Sequence, residues 1–118
     1  MCEYEQNDFV LFPYSYGYIY GEPHQVTELI KDNYGQIYEE LDADGTAFMV
    51  DSDIFIYLCP SVETWQEILV HECVHATWFL NEKIGELFSE KSSHLQCYLA
   101  QRIFKDGVEF FKGKYASG

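Results

Sequence analysis

From Val62 to Asn81 the chain puts an apolar residue on almost every side of a helix: Trp65, Ile68, Leu69, Val70, Cys73, Val74, Ala76, Trp78, Phe79 and Leu80. A helix that is apolar all round is covered all round. This segment therefore predicts the centre of a domain, with the rest of the chain wrapped about it. Pro60-Ser61 stops whatever precedes it and offers an N-cap, Glu63 complements the helix dipole, and Gly85 marks the end. Into this surface the sequence sets His71, Glu72 and His75, the pattern H-E-x-x-H. Burying two imidazoles and a carboxylate is expensive unless each finds a partner. A metal ion is such a partner: residues four apart share one side of a helix, and Glu72, about 100° round from His71, can hold a water beside the ion. A shuffled chain of this composition would contain the pattern roughly 0.014 times, so the match gains weight from its apolar setting.

One domain is all that 118 residues support, and 47% apolar with 18% aromatic residues supply a core for it. Residues 1–60 read as strands, a helix and a hairpin. Tyr14, Tyr16, Tyr18 and Tyr20 recur at a spacing of two within the segment Phe9 to Tyr20, which predicts a strand whose tyrosines pack on helices with their hydroxyls at the rim. Gly21-Glu22-Pro23 breaks it. Val26, Leu29, Ile30, Tyr34, Ile37, Tyr38 and Leu41 then follow helical spacing from Gln25 to Leu41. Thr46 to Val50 and Asp53 to Leu58, joined by Asp51-Ser52, predict a hairpin whose last strand offers an edge to an extended peptide. The preceding Asp42-Ala43-Asp44-Gly45 is a turn and not a calcium loop, because Ala47, Phe48 and Met49 stand where oxygen ligands belong. Residues 61–112 hold two helices, the second capped by Ser92 or Ser93 and running to Asp106-Gly107, and residues 113–118 read as a frayed tail.

The net charge is −13, and it is unevenly divided. Residues 1–82 carry one base, Lys31, against sixteen acids, whereas residues 83–118 carry six bases and four acids. A chain so acidic does not track nucleic-acid phosphates or anionic membranes, and it leaves basic partners open. The Met1-Cys2-Glu3-Tyr4-Glu5 start lacks the features of a signal peptide and no apolar run is long enough to cross a bilayer, so a soluble cytoplasmic protein is expected. Cys2, Cys59, Cys73 and Cys97 show no paired zinc-knuckle spacing and read as reduced thiols, with Cys73 and Cys97 small buried hydrophobes of the helices.

A catalytic zinc needs a third protein ligand and an open fourth position. Glu86, Glu90 and His94 are the candidates, and His94, eighteen residues past His75 at the start of the next helix, is placed to point back at the first. Three neutral imidazoles would leave the ion its full charge. His24, beside Pro23, reads as an exposed loop residue.

The segments Ile-Leu-Val-His-Glu-Cys-Val-His-Ala (68–76), Ile-Gly (84–85) and His-Leu-Gln-Cys-Tyr-Leu (94–99) resemble the core of small phage-encoded, zincin-like metallopeptidases, and more distantly the ImmA/IrrE and SprT-like minimal zincins. About a third of the chain carries the likeness. Where the phage proteins commonly have an acid, this chain has His94, which moves the ligand set towards the three-histidine type of the SprT-like proteins. The resemblance implies an α+β minimal zincin domain: a small antiparallel sheet with its hairpin, packed on an active-site helix and a following C-terminal helix. It also implies peptide-bond hydrolysis, with His71, His75 and His94 on Zn2+ and Glu72 as general base. Tyr98, one turn beyond His94, would face the same cleft and orient a ligand or donate to the oxyanion. The substrate would be a peptide or protein, a basic one suiting the acidic surface, and so short a chain would take a protein partner to complete its cleft. The competing reading is a non-catalytic acidic interaction protein, with a structural zinc site, that binds a basic host partner.

Overall fold

The computed structural model describes residues 2–8, 15–34, 44–84 and 93–115. Four strands and three helices follow one another as β1 (Glu3–Asp8), β2 (Ser15–Tyr20), α1 (Pro23–Tyr34), β3 (Gly45–Val50), β4 (Asp53–Leu58), α2 (Trp65–Ile84) and α3 (Ser93–Phe111). The fold is α+β, built on one four-stranded sheet in the order β1-β2-β4-β3.

That order corrects two expectations. The sheet is mixed, because β2 and β4 run parallel while β1/β2 and β3/β4 are antiparallel. The hairpin inserts its second strand beside β2, so β4 is interior and the free edge belongs to β3. Burial explains the choice. Ile54 to Leu58 are all buried, and a strand apolar on both faces belongs inside a sheet; Ala47 and Met49 of β3 are only half-buried, as suits an edge. The hairpin turn itself places Asp51 at φ 53°, a left-handed conformation that Asp tolerates better than most residues.

Alternation along the strands gives the sheet two covered faces. Ile19 and Phe55 face α1, which leans Leu29, Ile30 and Asn33 over them. Tyr16, Tyr18, Ile54 and Ile56 point the other way, where α2 covers β3 and β4 and α3 covers β2. The tyrosine row is a core feature. Tyr16 and Tyr18 are fully buried and pack on α3, but only Tyr16 sends its hydroxyl to the edge of the layer, donating to the Asp106 carboxylate; Tyr18 turns inward and donates to the Ile103 carbonyl at 2.5 Å. Tyr14 lies outside the described residues. β1 has no counterpart in the sequence reading, since Glu3 to Gln6 are exposed and all but Tyr4 are polar, as an outermost strand can be.

Pro23 opens α1 at the position where a missing N–H costs nothing, and the Gln25 side chain reaches back to the Glu22 N–H at 3.0 Å. The expected extension to Leu41 passes outside the described residues beyond Tyr34. His24 is exposed, as expected, but it stands in the first turn of this helix and not in a loop. α2 begins at Trp65, later than the Ser61 cap implied, with the Thr64 carbonyl accepting from the Ile68 N–H at 3.3 Å. Nor is α2 covered all round: Leu69, Cys73, Ala76 and Leu80 are buried, but Val70, Val74 and Trp78 are about half exposed.

α3 runs through Asp106-Gly107 to Phe111. Gly107 is there because the helix lies so close that a Cβ would meet Leu69 Cδ1 and Tyr18 Cε1 at 3.0 Å. The tail is tied down as far as Tyr115, whose ring stacks on Trp65 at 5.5 Å and whose hydroxyl donates to the Cys59 carbonyl at 2.7 Å. All four cysteines are free; Cys73 is buried, which pushes its thiol up to about 12, and Cys97 is exposed, against expectation. Among the described residues no helix is long and apolar enough to cross a membrane.

Candidate metal and catalytic site

His71 and His75 stand one turn apart on the outward side of α2, and their Nε2 atoms approach to 3.3 Å with ring centroids 4.9 Å apart. Both imidazoles are exposed. The penalty for burying them, on which the sequence reading leaned, is therefore not incurred. It falls on Glu72 alone, which is 7% exposed.

Glu72 sits between α2 and β3. Burial raises its pKa above the ordinary 4.5, opposed by the nearby His71 and His75 and by a hydrogen bond from the Ala47 backbone N–H of β3. Gly45, at the start of β3, permits this approach of strand to helix: a Cβ there would stand 2.6 Å from Ile68 Cγ2 and 2.7 Å from Leu58 Cδ2. The Asp44-Gly45 turn is the sequence signal for that closeness. Asp44, Gly45, Glu67, Ile68, His71 and Glu72 together line an open depression of about 320 Å³.

The histidine spacing can be tested against an ion. Two nitrogens each about 2.05 Å from a tetrahedral zinc lie about 3.3 to 3.4 Å apart. The observed 3.3 Å fits. Without an ion the same contact is an N–H···N hydrogen bond between the rings. Among the described residues no third His, Cys, Asp or Glu joins the pair as a metal-holding group. The backbone of His94 falls in the first turn of α3, but its side chain lies outside the described residues, as do Glu86 and Glu90.

Tyr98 goes elsewhere. Leu99, Ile103, Gly107 and Phe111 turn inward and set the roll of α3, leaving Tyr98 52% exposed in a separate depression with Gln101, Arg102, Lys105 and Asp106. Its hydroxyl accepts from Arg102 Nη1 at 3.3 Å. The structure thus brings His71, Glu72 and His75 together, adds Ala47, Asp44 and Glu67 to them, and does not bring Tyr98 into that depression.

No protein-family model matches the sequence, no curated protein matches it, and no solved structure matches the fold.

Proposed function

We propose that the chain is a zinc-dependent, metallopeptidase-like hydrolase of the minimal zincin type. The observation that carries the reading is the pair of exposed imidazoles, 3.3 Å apart at Nε2, beside a buried carboxylate on the same helix. His71 and His75 would hold the ion, with His94 the third ligand and Glu86 or Glu90 the carboxylate alternatives. Zinc, when bound, supplies a Lewis acid that acidifies water and steadies developing negative charge.

The protein's own part rests on Glu72. Burial raises its pKa, the direction that strengthens a carboxylate as a base, and in this role it would take a proton from the attacking water and return it to the leaving amine. The Ala47 amide anchors the carboxylate against β3 while this happens. The outer edge of β3 runs past Glu72, and an extended peptide can add there as a further strand. Asp44 and Glu67 in the same depression favour a substrate with a basic side chain.

Metal analysis of the purified protein tests the site: about one zinc per chain is expected, lost in His71→Ala, His75→Ala and His94→Ala. Metal-free wild type with an intact fold would refute it. For catalysis, wild type should cleave basic peptides from a proteome digest. Zinc binding without cleavage would leave the second reading, an acidic interaction protein with structural zinc, favoured by the −13 charge.

A further inference from the structure

The depression on the outer flank of α3 plays no part in the proposed hydrolysis, yet its side chains are organised. Arg102 donates from Nε to the Tyr16 hydroxyl at 3.0 Å and from Nη1 to the Tyr98 hydroxyl at 3.3 Å. Tyr16, 1% exposed, in turn donates to the Asp106 carboxylate. The guanidinium is thereby clamped at two points, one of them a buried hydroxyl. Arg102 and Asp106 are linked through Tyr16 and form no direct ion pair among the described residues. Nη2 of Arg102 has no protein partner there, and neither has the Lys105 ammonium.

Charge makes this arrangement distinctive. In a chain of net −13, the described residues contain six basic side chains, and two of them, Arg102 and Lys105, line this one depression of about 300 Å³. Among the described residues the only acid lining it, Asp106, already accepts from Tyr16. We infer that Arg102, Lys105, Gln101 and Tyr98 form a binding site for an oxyanion, the phosphate or carboxylate head of a small organic ligand. A planar guanidinium recognises two oxygens of such a group at once, and one held in place before binding loses little freedom on binding. Lys105 adds a second cation, the Gln101 amide a neutral donor, and the half-exposed Tyr98 ring a flat wall for the ligand's body.

The test is a solution NMR titration of the whole chain with inorganic phosphate, phenyl phosphate and malonate, each against sodium chloride at matched ionic strength. The expected result is saturable shifts of the amides from Tyr98 to Asp106, with binding weakened at least about 10-fold in Arg102→Gln, the loss of a charged bidentate partner. Because Arg102 also holds Tyr16, Lys105→Gln is the companion variant; its side chain carries no bond in the fold, and it should weaken binding several-fold with an unchanged spectrum elsewhere. Preference for phosphate or for malonate identifies the head group, and either supports the site. Shifts equalled by chloride, absence of binding by all three probes, or binding retained by both variants overturns it.

Discussion

Glu72 is the residue on which chemistry and stability meet. On the proposed function its replacement by Gln keeps the shape and removes the base, so zinc content should stay at the wild-type level while kcat falls by about 10² to 10⁴, read from steady-state peptide cleavage. The same variant reports on burial. A carboxyl whose folded pKa is raised above 4.5 favours the folded state below that value and loses the advantage as pH rises through the folded pKa. In metal-free protein, the melting temperature of Glu72→Gln minus that of wild type should therefore be larger at pH 7 than at pH 4. Equal differences at both values would mean that burial does not govern this carboxyl.

Elements are where reading the sequence succeeded and failed for distinct physical reasons. The hairpin was legible because Ile54, Ile56 and Leu58 alternate and Asp51-Ser52 is a turn; H-E-x-x-H was legible because helical spacing fixes which side chains are neighbours. What one strand's pattern cannot carry is the identity of its neighbour. The parallel pairing of β2 with β4 depends on competition between β3 and β4 for the interior, which is settled by packing across the sheet. The all-round apolarity of α2 misled for a similar reason, since Val70, Val74 and Trp78 are about half exposed on its outer side. Gly107 read as a helix stop because the pattern shows a missing side chain and not the helix that needs the room.

Two glycine variants follow from these contacts. Ala is usually worth about 1 kcal/mol more than Gly inside a helix, but Gly107→Ala should lose about 1 kcal/mol, because the methyl group meets Leu69 and Tyr18. Gly113→Ala, past the end of α3 and with nothing within 4 Å of the added methyl group, should be near neutral; urea midpoints of the two variants show whether crowding sets the loss at position 107. Gly45→Ala should cost about 1 to 3 kcal/mol and also depress any hydrolysis, since Ile68 and Leu58 must yield where β3 meets α2.

At the scale of the molecule, α1 covers one face of the sheet and α2 with α3 the other, and the C-terminal turn closes over the ends of the strands. Tyr115→Phe removes only the hydroxyl bonded to the Cys59 carbonyl and should cost about 1 kcal/mol by urea denaturation, whereas Tyr115→Ala, which also loses the stack on Trp65, should cost more. The −13 charge acts over the whole surface. Self-repulsion is screened by salt, so the melting temperature of wild type should rise between low salt and about 0.5 M sodium chloride, and a fall would mean that specific ion pairs outweigh the net charge.

Lys114 Nζ lies 3.2 Å from Glu3 Oε1, so the strand that opens the chain and the turn that follows its last helix touch. A few glycines and serines linking Tyr115 to Cys2 could join these two segments, and the exposed Asp51-Ser52 bend between β3 and β4 is where the resulting ring could be cut open. Such a rewired order would begin with β4, α2 and α3 and deliver β2 and β3 after the helices that cover them.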